Sequence, residues 1–420
     1  MQPIAVIALL YAIAGPAGAA ELTLQAVLDA ARSNVDVALA SGALAAARAD
    51  VASASHAPLP VLSAKLTTID LQNGIGGGNA LTQKRIDKSV GMDFTWERGD
   101  KRRLRTDAAQ HAAAAAQADL EDVRLQQSLA ASAAFYDLLA ANERVDEVSG
   151  IEKSAAALSQ TATRRLQAGD IGAQDAARSE IEAQRAQADL DASRLDRRRA
   201  AMALTLLTGL ALDTEAPALA SAWPPPDNAA TGAADLADAV ERRPDVQAAR
   251  ERVQAARAAF DGARALKKSD VTWGTSLDHY PGTSSRLLEV RMQMPLQWGY
   301  GYEGELRRAQ AQLDQAEDAL SKARRSGTIE LQRLQAELLA AAQRRGRYES
   351  DILPRARRVA DMAELAHRRG ALSLTDLLDA RRTLRATLLE ASAARADHAK
   401  ALTGWQLRAA PAGAVEHRPL

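Results

Sequence analysis

The chain has 420 residues, 53 Lys and Arg balanced by 53 Asp and Glu, no cysteine and 3% aromatic residues. Zero formal net charge gives no electrostatic reason for binding nucleic acid, and the missing cysteine excludes disulfides, thiolate metal sites and lipid attachment through an N-terminal cysteine. The length would suit two or three ordinary domains, but abundant alanine and so few aromatic residues suit elongated helical packing better than several compact cores.

Residues 1–20 read as a removed secretory signal. IAVIALLYAIA (4–14) is too short to cross a bilayer comfortably, and Ala17-Gly18-Ala19 fits a signal-peptidase site. Residues 22–57 read as helix, 60–71 and 89–97 as strands around GIGGGNA (74–80), about 100–168 as a long helix and about 174–208 as another. GIGGGNA lies between strands and lacks the lysine and following helix of a phosphate loop, so it reads as an external loop. A non-helical stretch containing WPPPDNAATGAA (223–234) follows. The same order then returns, with helix at 235–268, strands at 271–280 and 287–298, and helices at about 303–369 and about 375–403.

Individual residues also recur. Asp36-Val37 and Ala46-Ala47-Arg48-Ala49 return as Asp245-Val246 and Ala255-Ala256-Arg257-Ala258. Met92, Phe94, Trp96, Gly99 and Leu104 return as Met294, Leu296, Trp298, Gly301 and Leu306, and LTG closes both halves at 207–209 and 402–404. The chain therefore reads as a tandem duplication: a first repeat at 21–209, a Pro-rich linker at 210–234, a second repeat at 235–404 and a tail at 405–420. At about 1.5 Å per residue the first long helix would reach roughly 100 Å and each short helix roughly 50 Å, so two short helices end to end match one long one. Each long helix is expected to turn back at a tip where glycine precedes aspartate by six residues, Gly169 with Asp175 and Gly370 with Asp376. Ile352, Ala356, Val359, Ala363 and Ala366 form a 4-3-4-3 seam for a neighbouring helix, and Pro354 and Gly150 are expected to kink the two long helices.

The strands alternate. Leu288, Val290, Met292, Met294, Leu296 and Trp298 share one face, and Glu289, Arg291, Gln293 and Gln297 the other; Val90, Met92, Phe94 and Trp96 against Gly91, Asp93 and Thr95 repeat the pattern. Behind a signal peptide and between very long helices, such strands suit a transmembrane barrel better than a soluble sandwich. Four strands cannot close a barrel, since about eight are needed, whereas three chains would supply twelve. The fold class expected is mainly α with a small β part: long antiparallel helical hairpins forming an α-barrel, and a trimeric twelve-stranded β-barrel.

This order of elements, given twice around a Pro-rich linker, resembles the TolC-type outer-membrane factors over essentially the whole mature chain. TDLLDARRTL (375–384) is similar to the family's inner tip, and ERGDKRRLRTDAAQHAAAAA (97–116) and MPLQWGYGYEGELRRAQAQLDQAE (294–317) are most similar to the CzcC-type heavy-metal branch. The resemblance implies a homotrimeric duct in the outer membrane with a long periplasmic extension, working with a periplasmic adaptor and an inner-membrane RND-type transporter, with heavy-metal cations as the favoured substrate. It implies adaptor contacts at Gly169, Ile171, Asp175, Gly370, Leu372 and Ser373, although such residues also simply close helical hairpins. It implies acidic rings at Asp376 and Asp379, for which an N-cap and an exposed helix charge are the plainer reading. The first repeat has Arg178 where the second has Asp379, and His367 and Leu372 stand where some relatives keep a polar latch.

No enzyme is indicated. The histidines His56, His111, His279, His367, His398 and His417 are scattered without HxxxH or HExxH spacing, so neither a metal site nor a cofactor is expected. Arg98, Lys101, Arg102, Arg103 and Arg105 form a basic run that suits either anionic lipid headgroups or a solvated helix end. A drug-efflux or type I secretion channel is the nearest alternative. A periplasmic coiled-coil adaptor or scaffold is the alternative from another class.

Overall fold

A computed structural model describes residues 22–67, 72, 86–215, 217–220, 223–225, 236–280 and 284–409. The expected signal at 1–20, the GIGGGNA loop and residues 216, 221–222 and 226–234 of the Pro-rich linker lie outside the described residues. The elements are α1 (Leu24–Ala31), α2 (Val35–Ser55), β1 (Val61–Thr67), β2 (Asp87–Trp96), α3 (Lys101–Gln167) and α4 (Ala173–Thr208), then α5 (Leu236–Arg242), α6 (Pro244–Ala265), β3 (Val271–Tyr280), β4 (Ser284–Gln293), α7 (Glu303–Arg347), a π turn (Tyr348–Ile352), α8 (Leu353–Arg368) and α9 (Leu374–Ala409). The order of helix, strand pair and long helices thus occurs twice. Two compact units share these elements, one of Met1–Val37, Arg124–Ala234 and Leu331–Leu420, the other of Ala38–Val123 and Asp235–Glu330.

The first unit is helical. Its core joins Val27 and Ala31 of α1, Phe135 and Leu138 of α3, Ala201 and Leu204 of α4, and Ala399 of α9. The alanines let helix backbones approach, and Phe135, 1% exposed, is the largest side chain buried almost completely among the described residues. Leu219 and Trp223, from the linker, pack on this core; Trp223 stacks on Tyr136 at 6.0 Å between ring centres and donates its indole N–H to Glu143 Oε1 at 2.5 Å.

The stretch expected as one helix at 22–57 is two, because Asn34 interrupts it. Asn34 Oδ1 accepts the Val37 N–H at 3.0 Å and starts α2, while its Nδ2 donates to Gln127 Oε1 at 2.8 Å. By composition Leu24–Ser55 is apolar enough to cross a bilayer, but this break and the charges Asp36, Arg48 and Asp50 make it a poor span.

The second unit contains the sheet and repeats that interruption. Arg243, two residues before Asp245 as Asn34 is before Asp36, has an extended backbone, and Pro244 begins α6 without an N–H to place. The expected helix at 235–268 is therefore also two. Arg243 is 5% exposed and paired to Asp245 and Glu330 at 2.8 Å each. Burial works against its charge, but the two carboxylates outweigh burial and push its pKa up.

All four strands pair antiparallel in the order β1-β2-β3-β4. β4 ends at Gln293, short of the expected 298, because Ser269 Oγ donates to the Pro295 carbonyl at 2.7 Å and Gln297 Nε2 to that of Leu266 at 2.9 Å. These bonds tie the chain to the end of α6, so Met294, Leu296 and Trp298 lie past the strand while their repeat partners Met92, Phe94 and Trp96 lie in one.

α3 carries no break at Gly150, so Pro354 alone of the two expected positions interrupts its helix. The expected seam is split, and the buried stripe of α8 runs instead through Leu353, Ala356, Ala360 and Ala363. Ala356 and Ala363 are buried, while Ile352 and Val359 are exposed. α9 runs on to Ala409, past the expected repeat end at 404, and Trp405 is buried. Residues 410–420 lie outside the described residues.

Candidate functional site

The sheet of the second unit is inside out. Register places Leu62, Val90, Leu277 and Leu288 on the same face as Phe94, Trp273 and Met292, and this apolar face is open: Leu277 and Leu288 are each 70% exposed. On the other face Ser276 and Asp278 are 2% and 4% exposed. Asp93, Gly274 and Arg291 stand in one row across that polar face, and Arg291 donates to Asp93 at 2.7 Å to each carboxylate oxygen. The pair passes over Gly274, where a Cβ would come within 2.1 Å of Asp93 Oδ1. A sheet that exposes leucine and buries aspartate is arranged for hydrocarbon outside and polar surroundings inside.

The hairpin tips belong to the first unit and share one backbone device. After α3 the Asp170 N–H bonds the Arg165 carbonyl at 2.8 Å and the Gly169 N–H that of Leu166 at 3.0 Å; after α8 Ala371 bonds Ala366 at 2.9 Å and Gly370 bonds His367 at 3.0 Å. Gly169 and Gly370 take φ of 81° and 75°, the left-handed conformation such a helix end requires. Ile171 and Leu372 are half-buried beyond the two glycines.

The side chains at the tips differ. Gly172 starts α4 with no side-chain cap, and Asp175 lies half-buried in that helix's first turn. Ser373 caps α9: its Oγ accepts the Asp376 N–H at 3.2 Å and donates to Asp376 Oδ2 at 2.6 Å. His367 Nδ1 lies 3.0 Å from the Leu372 carbonyl, which can only accept, so Nδ1 carries the proton. His367 and Leu372 thus bind one another across the turn. Asp376 and Asp379, one turn apart, are both exposed.

Between the hairpins is a set of contacts that sequence reasoning missed. Arg178 donates to Thr375 Oγ1 at 3.0 Å, Arg382 reaches Glu182 at 2.7 Å and Arg385 pairs with Asp189, all three linking α4 to α9. Arg381 pairs with Glu364 at 3.5 Å. A cavity of about 250 Å³ lies among these helices, lined by Ile151, Leu158, Leu378, Glu147 and Arg381 among others. Glu147 Oε2 is enclosed without a hydrogen-bond partner, and burial first, then the Glu143 charge, push its pKa up. Farther along, Arg345 and fully buried His398 meet at 3.1 Å, and Glu349 bridges Arg345 at 3.1 Å to Arg395 at 3.0 Å. Burial and the Arg345 charge lower the His398 pKa. The only sequence signal for this web is the wealth of arginine on α9, whose helical rotation sets the partners.

Three of the histidines have protein partners: His111 meets Glu251 at 2.7 Å, and His367 and His398 are bound as above. Among the described residues no group of three or more His, Asp or Glu side chains is arranged to hold a metal ion.

A family model described as outer membrane efflux protein matches residues 26–210 and 236–410, which together span most of the chain. The chain belongs to the outer membrane efflux protein family. Its place is the outer membrane, which explains the inside-out sheet, and the family is one of efflux channels, not of enzymes. This overturns the soluble-scaffold alternative. Cobalt-zinc-cadmium resistance protein CzcC of Cupriavidus metallidurans is 27% identical over 368 residues, 87% of this chain and 84% of that relative. A membrane protein from Pseudomonas aeruginosa has a similar structure with TM-score 0.78 at 19% identity, covering 92% of this chain and 90% of that one. The open state of the Neisseria gonorrhoeae MtrE outer membrane channel gives 0.74 at 18%, covering 92% and 88%. These structural likenesses show the fold.

Proposed function

We propose that the chain is the exit duct of a tripartite efflux pump. Three copies would pool their sheets into a twelve-stranded barrel and their helices into a periplasmic tube, and the doubled element order would reflect a tandem duplication. The observation that carries this reading is the four-stranded inside-out sheet, which is too narrow to close alone yet exposes its apolar face. Gly169, Ile171, Asp175, Gly370, Leu372 and Ser373 would then meet a periplasmic adaptor, and an RND-type transporter in the inner membrane would deliver the cargo. Asp376 and Asp379 would surround the axis as paired acidic rings, drawing cations to the entrance. Similarity to a cobalt-zinc-cadmium resistance protein favours heavy-metal cations over drugs or secreted polypeptides.

Cells lacking this chain but keeping its pump should accumulate more zinc, cobalt or cadmium than the parent strain. Restored export by the intact chain supports the reading. Unchanged accumulation of all three metals contradicts a metal cargo and leaves the drug or secretion channel in its place.

A further inference from the structure

At the end of the sheet that leads into the helices, three connections meet. The Arg98 N–H and the Lys101 ammonium both donate to Asp270 Oδ1, at 2.9 and 2.8 Å, clamping the β2–α3 turn to the α6–β3 turn. Ser269 draws in the segment after β4 through the Pro295 carbonyl. The stem of Lys268 lies over Gly99, where a Cβ would stand 2.8 Å from its Cδ. Cations therefore crowd this end from separate parts of the chain.

The local carboxylates are taken. Asp270 is bound by Lys101, Glu97 pairs with Arg105 at 2.6 Å, and Asp100 and Asp107 flank Arg103. Arg98, Arg102, Lys267 and Lys268 are exposed and pair with no carboxylate among the described residues. Helix stability does not explain the run, since α3 opens on Lys101, Arg102 and Arg103 with no acid in its first turn, against the helix dipole. Close in the chain to these cations, Trp96 on the apolar face and Trp298 past the end of β4 are 65% and 87% exposed, as aromatic side chains stand at a membrane interface.

We propose that Arg98, Arg102, Lys267 and Lys268 form a binding site for the phosphate of an anionic phospholipid in the periplasmic leaflet, whose acyl chains lie along the apolar face of the sheet. The leaflet rests on the proposed periplasmic placement of the helices; the membrane contact itself does not. Each cation acts near the headgroup surface, where one basic side chain is worth about fivefold in affinity.

The test is retention of phosphatidylglycerol or phosphatidylcholine by the full-length protein, released from nanodiscs of both lipids and weighed by native mass spectrometry. The expected result is preferential retention of phosphatidylglycerol, unaffected by added inorganic phosphate and weakened about fivefold for each charge removed in the series Arg98→Gln, Arg102→Gln, Lys267→Gln and Lys268→Gln. Arg102→Lys should keep most of the binding. If the combined variant misfolds, Lys267→Gln with Lys268→Gln alone decides, since both lie outside the strands. Equal retention of the two lipids, displacement by phosphate, or unchanged retention in the variants would overturn the site. Protein that enters no nanodisc at all would instead contradict the membrane reading of the sheet.

Discussion

The two hairpin tips use one backbone solution and two sets of side chains. Both end a long helix with the same pair of hydrogen bonds around a left-handed glycine. Only the second adds a serine cap, a histidine across the turn and an acidic pair, and the first offers Arg178 to Thr375 of the second. Closing a hairpin therefore needs only the glycine, and the extra chemistry at the second tip is available for other work.

That contrast can be attacked at several levels. Valine at Gly169 or Gly370 should cost about 1–2 kcal/mol, nearly equal at both tips, because a β-branched residue is penalised in the left-handed region. Thermal melts of the two variants check this, and a large difference would mean the shared backbone device is not what closes both. Ser373→Ala should cost about 1 kcal/mol and speed hydrogen exchange in the first turn of α9, whereas Gly172→Ala, which removes no side-chain cap, should cost less and change exchange in the first turn of α4 less.

The acidic pair is the next discriminator. In planar bilayers Asp376→Asn with Asp379→Asn should lower cation-over-anion permeability about threefold, since each removed charge is worth about 1 kcal/mol or less in water-filled surroundings. Asp175→Asn should change it less, because Arg178 already offsets that tip.

The smallest effects should come from between the hairpins, and they are pH effects of opposite sign. Glu147 has a raised pKa, so the folded state holds its proton longer and stability falls as pH rises above the ordinary carboxylate range; Glu147→Gln should remove that loss. His398 has a lowered pKa, so stability falls as pH drops below its usual 6.5, and His398→Gln should flatten that limb. Melting curves across pH distinguish the two.

Much of this architecture was legible because it rests on local rules. Gly169 and Gly370 announce turns that few other residues tolerate, and Val90, Met92, Phe94 and Trp96 announce a strand with one apolar side. The break at Asn34 was hidden, since one polar residue in an alanine-rich run shows no loss of helical period until its partners are known, whereas the one at Arg243 was signalled by Pro244. The end of β4 depends on bonds that join Pro295 and Gln297 back to Ser269 and Leu266, 26 and 31 residues earlier in the chain. The ionic links from Arg382 to Glu182 and from Arg385 to Asp189 depend on how α4 and α9 rotate against one another, which periodicity does not specify.

Shared barrel formation is the claim on which the duct stands, and the mass of the protein extracted from purified outer membranes in mild detergent, corrected for bound detergent, tests it most directly. Three chains per particle is the predicted result; a single chain in the same extract would contradict it.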